Sequence, residues 1–415
     1  MMKCTLADIV KFFNGKVRPK EEGLIPVYGG NGVLGYCSNS NYSGETIIIG
    51  RVGAFCGATY FEQQPIWVSD NALAAKQRTN YHIKYLYYLI KNLNLNKYAQ
   101  GSSHPLLTQR LLNSIEINVH ESICDQNKIA NLLSTLDDKI ELNKKINQTL
   151  ESIAQNIFRS WFVDFDPVHA KANAQSEDEY DAIAKELGIS REILDLFPNE
   201  FEESELGLIP KGWEVDEIGN IINIVGGGTP STKNKDFWDG GNVNWSTPKD
   251  LSSLDFPVLL DTERKITEQG LKKISSGLLE EGTLLLSSRA PIGYIAISKI
   301  PVAINQGFIA IPPNQKLSSI FLLYWTRNNI DVIKSYSGGT TFQEISKKNF
   351  RLIKLILPSA NLLDAFNELA SNLFNSIVMK EMENKSLQEI RDNLLPKLLS
   401  GEIDVSNLNL EPEND

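Results

Sequence analysis

The sequence predicts an α+β protein: two pseudo-symmetric domains separated by two long antiparallel helices that form a coiled coil. Three observations carry that prediction. One is a repeat at a constant offset of 237 residues, the second a pair of β-rich blocks punctuated by turn residues, the third two apolar stripes at helical spacing. Adding 237 carries "TIII" (46–49) onto "TLLL" (283–286) and Gly101 onto Gly338. It then carries Ile129 onto Phe366, Leu136 onto Leu373, Ile140 onto Ile377, Leu150 onto Leu387 and Asn156 onto Asn393. One offset that holds through a mixed block and a helix marks a duplicated unit.

Taken in order, residues 1–124 form the first block. It opens with "TLADIVKFFNGK" (5–16), continues in short β-rich runs and carries a helical stretch, "IKYLYYLIKNL" (83–93), ahead of a Gly–Ser turn. Residues 125–162 follow as a central long helix with a seam of Ile129, Leu133, Leu136, Ile140, Asn143, Asn147, Leu150, Ile157 and Trp161. At about 1.5 Å per residue its periodic part is a rod of roughly 50 Å. Residues 163–212 hold four basic and thirteen acidic groups and read as a solvated connector. The second block, 213–360, repeats the first and adds the insertion "FWDGGNVNWSTPKDL" (237–251). The C-terminal long helix, 361–403, has the matching seam of Phe366, Leu373, Ile377, Lys380, Asn384, Leu387, Leu394 and Leu398. The acidic tail 404–415 is expected to be disordered.

Both seams turn polar at their middles. Antiparallel pairing brings Asn143 and Asn147 opposite Lys380 and Asn384, where polar groups cost stability and fix register. A break in the stripe that is merely exposed explains the pattern equally well. Pro396, in "NLLPKLLSGEI" (393–403), cannot donate its N–H and is expected to break the helix. A short terminal helix would then begin at the proline, end at Gly401 and serve as a docking foot.

The net charge of −10 is unevenly placed. Residues 1–124 carry twelve basic against eight acidic groups and 213–360 carry sixteen against fourteen, so the acid resides in the connector and the C-terminal segment. That distribution removes an objection to nucleic acid as a partner. The four cysteines lack metal-ligand spacing and read as free thiols of a cytoplasmic protein. No apolar run is long enough to span a membrane. Methyltransferase tetrapeptides, a GxxxxGK[ST] phosphate loop and HExxH are all missing, so the chain reads as no enzyme, without catalytic or metal residues.

Several stretches resemble the specificity (S) subunits of type I restriction–modification systems. They are "GETIIIGRVGAFCGATYF" (44–61), "IWVSDNALAAK" (66–76), "KIANLLSTLDDKIELNKKINQTLESIAQNIFRSWFVDFDP" (128–167), "ELGLIPKGWEV" (205–215), "SSRAPIGYIAIS" (287–298), "AINQGF" (303–308) and "LQEIRDNLLPKLLSGEI" (387–403). The resemblance implies two target-recognition domains, each reading half of a bipartite, gapped and asymmetric DNA sequence. It implies paired helices that act as a ruler and dock two adenine-N6 methyltransferase (M) subunits, with motor–nuclease (R) subunits completing the complex. S-adenosylmethionine (SAM), ATP and Mg²⁺ are then cofactors of the partners, and this chain holds none. A related restriction system with a different cleavage partner, or a two-headed scaffold that binds no DNA, are the competing readings.

Base edges and phosphates call for Arg, Asn, Gln, Ser, Thr and Lys on loops and strand ends. In the first block the candidates are Tyr28, Asn31, Arg51, Ser69, Asn71, Ser102, Ser103 and His104. In the second they are Thr229, Ser231, Lys233, Trp245, Ser288, Arg289, Asn305, Gln306, Thr340 and Thr341.

Overall fold

A computed structural model of the chain describes residues 1–78, 80–101, 105–339 and 343–406. The first head opens with β1 (Met2–Thr5), α1 (Leu6–Ile9) and β2 (Val10–Asn14). It continues through β3 (Ile25–Gly29), β4 (Gly32–Cys37), β5 (Thr46–Gly50), β6 (Thr59–Glu62), β7 (Trp67–Val68) and β8 (Ala72–Gln77). Then come α2 (Ile83–Asn92), α3 (Gln109–Asn113), β9 (Glu116–Val119) and the long α4 (Ile123–Phe162). Its sheets run β2–β8–β5–β6, β4–β3–β7 and β1–β9. The "TIIIG" run of β5 is buried at every position, as a central strand covered on both faces must be. Asp8 starts α1 by accepting hydrogen bonds of 2.7 Å from both the amide and the hydroxyl of Thr5.

The segment after α4 is folded, which corrects the expectation of a solvated connector. It forms α5 (Asp166–Asn173), α6 (Tyr180–Leu187), α7 (Arg191–Asp195) and the hairpin β10 (Phe201–Ser204) to β11 (Gly207–Pro210). Val168, Phe197 and Ile209 anchor it in the core of the second head. Lys171 is buried, and its Nζ donates to the carbonyls of Leu194 (3.1 Å) and Phe197 (2.5 Å), closing the end of α7. Burial lowers its pKa. The acidic residues occupy the outside, so charge count alone concealed an apolar inner face.

The second head contains β12 (Glu214–Glu217), α8 (Ile218–Ile221), β13 (Val243–Ser246), α9 (Pro248–Ser252), β14 (Val258–Leu259), β15 (Arg264–Ile266) and α10 (Glu268–Leu271). It continues with β16 (Leu284–Ser287), β17 (Ile295–Ser298), β18 (Ala303–Ile304) and β19 (Phe308–Ile311). After these stand α11 (Ser319–Asn328), α12 (Ile330–Ser335), α13 (Lys347–Arg351), β20 (Lys354–Leu357) and the second long helix α14 (Ala360–Ser400). Its sheets, β14–β17–β16–β19, β15–β13–β18 and β12–β20, repeat the three of the first head. The differences are local. A bridge from Val225 to Ala310 stands where β2 pairs β8, and β14 extends the opposite edge beside β17.

The chain divides into two compact units, Met1–Leu142 with Asn384–Asp415, and Asn143–Glu383. Each unit therefore takes one head and half of each long helix. In the first, Ile129 and Leu133 share a core with Leu394, Leu395, Leu398 and Leu399, and Arg391 meets Asp137 at 2.6 Å. In the second, Phe158 meets Phe366 edge to face, while Asn147 reaches Glu381. Within either unit a rise along α4 matches a fall along α14, so the halves run antiparallel. At 40 residues, α4 is about 60 Å long, longer than its periodic stripe suggested.

Three expectations for the helices need correction. First, α14 runs unbroken through Pro396 to Ser400. The proline gives up one backbone hydrogen bond, but the flanking Leu395, Leu398 and Leu399 are buried in the first head's core and hold the turn. Gly401, at φ +77°, then ends the helix with its N–H on the Leu398 carbonyl. Secondly, Leu136, Leu150, Ile157, Leu373, Leu387 and Leu394 are only half-buried, while Phe158, Phe374, Val378, Leu395 and Leu399 are buried. The heads pack on the helices too, widening the buried stripe beyond a two-helix seam. Thirdly, Asn143 and Asn147 are buried, but their amides donate to Glu383 and Glu381, each at 2.9 Å, rather than meeting Lys380. Of the expected tail, Val405 is buried in the first core and accepts from Lys128 Nζ, so 404–406 are ordered by packing; 407–415 lie outside the described residues.

Candidate nucleic-acid interface

In both heads, chain segments distant in sequence converge at one end of the four-stranded sheet. The first is an arginine just after a core strand. Arg51 follows β5, its backbone joining Asn71 on one side (N–H to carbonyl, 3.0 Å) and Leu107 on the other (carbonyl from N–H, 2.9 Å). Its Nε is buried without a hydrogen-bond partner among the described residues. Arg289, two residues beyond β16, bridges Glu344 through the backbone and pairs with its carboxylate at 3.6 Å.

The second part is a polar turn ahead of a sheet strand. In the first head Asp70–Asn71 links β7 to β8, with Asn71 exposed. In the second Asn305–Gln306 links β18 to β19; Asn305 Oδ1 accepts from the Gly307 amide at 2.9 Å, while exposed Gln306 accepts from Thr229 Oγ1 at 2.5 Å. Asn305 therefore shapes the turn and Gln306 is displayed by it. Asn31 sits exposed at the tip of the β3–β4 hairpin, and Gly30 beside it faces the carbonyls of Val52 and Asn71.

The third part is a pair of loops anchored alike. Gln100 and Leu106 exchange hydrogen bonds of 3.0 and 2.8 Å, and Leu106 bridges Val52. Gly338 and Glu344 exchange bonds of 3.0 and 3.1 Å, and Glu344 bridges Arg289. The candidates Ser102, Ser103, His104, Thr340 and Thr341 lie between these anchors, outside the described residues.

Four candidates belong to the interior instead. Tyr28 packs in a core cluster, its hydroxyl donating to Glu62 at 2.6 Å; burial and then that carboxylate raise its pKa far above the usual phenol range. Trp245 is buried, its indole donating to the Gly228 carbonyl at 3.1 Å. Ser69 and Ser288 are buried as well, and both serve the turns through their backbones. The strands bearing Tyr28 and Trp245 pair on both edges, and both rings are buried. Thr229, Ser231 and Lys233 are exposed on the loop before β13.

Exposed basic residues that the sequence reading did not single out border the same face: Lys16, Arg18 and Lys20 in the first head, and Lys235 in the second. The signal for them was the equal spacing of Gly15 after α1 and Gly227 after α8, six residues on in each case. Among the described residues no group of three or more His, Cys, Asp or Glu could hold a metal ion, and no helix is long and apolar enough to cross a membrane.

Comparison with known proteins matches this architecture to one family. Residues 1–152 and 210–389 match the type I restriction modification DNA specificity domain. The type I restriction enzyme HindI specificity subunit of Haemophilus influenzae is 32% identical over 338 residues, 74% of this chain and 72% of that protein. The MjaIX specificity subunit of Methanocaldococcus jannaschii is 39% identical over 200 residues, 46% of this chain and 44% of that one. Among solved structures, a type I S subunit from M. genitalium shares the fold, with a TM-score of 0.57 at 19% identity over 96% of each chain.

Proposed function

This chain belongs to the type I restriction–modification DNA specificity family, and from that premise we propose that each head reads one half of a bipartite, gapped DNA target. What supports the reading is the repeated surface: both heads gather an arginine, a polar turn and an anchored loop at one sheet end, with different residues at matched places. Asn31, Arg51 and Asn71 in one head, and Arg289, Gln306 and Thr229 in the other, offer the donors and acceptors that base edges require. Because the two sets differ, the half-sites differ and the target is asymmetric. Helices α4 and α14 set the gap and dock two methyltransferase subunits, which motor–nuclease subunits join. The chain is the targeting part of a cytoplasmic complex and performs no catalysis; SAM, ATP and Mg²⁺ act on the partners.

Sequencing adenine methylation in cells that express the full chain with its methyltransferase tests this. The expected result is one motif of two short, different blocks at constant separation. Arg289→Ala should relax one block and leave the other intact. A contiguous motif, or loss of both blocks together, would refute the proposal, and a DNA-free scaffold would leave no motif at all.

A further inference from the structure

Each head carries a segment that the assignment of base-reading turns leaves without a role. In the first head it is Lys16–Lys20, in the second Pro230–Lys235. Both follow a glycine packed so tightly on the sheet that no side chain fits. A Cβ on Gly15 would lie 1.8 Å from the Ser69 carbonyl oxygen, and one on Gly227 would lie 1.9 Å from that of Ile304. Those carbonyls immediately precede Asp70–Asn71 and Asn305–Gln306. The glycines therefore pin the two segments beside the polar turns.

The pinning is reinforced alike in both heads. The Lys16 amide donates to Val68 and the Gly228 amide to Ile304, at 3.0 and 2.9 Å. A tryptophan indole holds a carbonyl of each segment: Trp67 on Lys16 and Trp238 on Ser231, both at 3.1 Å. In the first head Arg18 also donates to the Leu34 carbonyl, which lays the segment along the β3–β4 hairpin. These arms, irregular in conformation, are thus held in place by backbone contacts on one side.

Their cations are not held in ion pairs. Lys16, Arg18, Lys20, Lys233 and Lys235 are all exposed, and among the described residues none lies within ion-pair distance of a carboxylate. Elsewhere in the second head Lys249 pairs with Glu263, Lys299 with Glu281 and Lys354 with Glu205. Glu21 and Glu22 follow the first arm, and Glu21 accepts from Ser38.

Resting on the DNA reading above, we infer that the two arms are sequence-independent phosphate clamps, one per head, which grip the duplex backbone beside the base-reading turns. Contacts to phosphate position a protein on the duplex, and contacts to base edges specify the sequence. The arms and turns divide those tasks within each head. Placing a cationic arm against the carbonyl that precedes the reading turn fixes the distance between grip and reader, which a free lysine tail would not.

Salt dependence separates the two roles. Each phosphate neutralised contributes about 0.9 to the slope of log K against log salt. The full chain, in complex with its methyltransferase, is titrated onto an arbitrary 30-base-pair duplex between about 0.05 and 0.2 M salt. The K16Q/R18Q/K20Q variant should lower the slope by about 2.7, and K233Q/K235Q by about 1.8. Over that fourfold range their affinities should fall about 40-fold and about 12-fold less than the wild type's. Their methylation motifs should be unchanged, and the control K185Q, on the connector, should leave the slope alone. A normal slope in both arm variants would overturn the inference while leaving the DNA reading standing. An altered methylation motif would also overturn it, by making the arms readers. A wild-type complex that fails to bind duplex at low salt would overturn the reading itself.

Discussion

The two compact units solve one packing problem with different side chains. In the second, the end of α4 inserts Phe158, Trp161 and Phe162; in the first, the end of α14 inserts Leu395, Leu398 and Leu399. The triplets stand 237 residues apart position by position, and all six are buried. The aromatic triplet joins a cluster of edge-to-face rings with Phe321 and Phe366. The aliphatic one sits among Ile117, Val119, Ile129 and Leu133. The repeat preserves where apolar volume is needed and leaves its chemical form free.

The polar locks beside these ends differ in wiring. In the first unit Asp137 of α4 accepts from Tyr88 at 2.7 Å and from Arg391 of α14 at 2.6 Å. In the second, Glu151 of α4 accepts from Tyr324 at 3.4 Å and pairs with Arg327, both on α11. Both tyrosines are held neutral, their pKa values raised chiefly by burial and then by the carboxylate. A tyrosine, a carboxylate and an arginine thus tie a head helix to α4 in each unit, with the arginine supplied by α14 in the first and by α11 in the second.

Replacing the feet gives the largest effects. Trp161→Ala should cost about 3–5 kcal/mol and Leu398→Ala about 2–4 kcal/mol in chemical denaturation. Hydrogen exchange should show protection lost around β16–β19 for the first and around β5–β8 for the second. Equal loss in both places would abolish the distinction between units. Breaking the locks comes next. Arg327→Met strands the largely buried Glu151 and should cost about 2–3 kcal/mol; Arg391→Met should cost about 1–2, because water still reaches Asp137. A reversed order in thermal unfolding would mean that the wiring, rather than burial, sets the cost. The smallest effects belong to the hydroxyls. Tyr88→Phe should lose about 1 kcal/mol and Tyr324→Phe roughly half that, following their 2.7 and 3.4 Å bonds.

Much of this was legible in the sequence because duplication turns single residues into paired observations. The constant offset located both heads and both helices, whereas the polar middles at Asn143 and Asn147 fitted a buried pair and an exposed break equally well. Their partners were not legible, since a choice among Lys380, Glu381 and Glu383 depends on how α14 is rotated. Pro396 misled because propensity sees only the lost hydrogen bond, whereas Leu395 and Leu399 bind the turn to a core built by residues far away in sequence. At the candidate interface Arg51, Asn71 and Arg289 were visible as polar residues next to strand-like runs. Tyr28 and Trp245 were not separable from them, because a ring in a short strand beside polar or glycine residues has the same local pattern whether its side faces in or out.

The division of the chain also orders its manufacture. The second unit is one uninterrupted stretch, whereas the first needs Leu395, Leu398, Leu399 and Val405 to complete its core. Synthesis proceeds from the N-terminus, so the head translated first must wait for almost the whole polypeptide before its last apolar wall arrives. Until then it exposes the seat of those leucines on the ribosome, and closing it requires a long-range contact of high entropic cost. The head made first is therefore the head finished last.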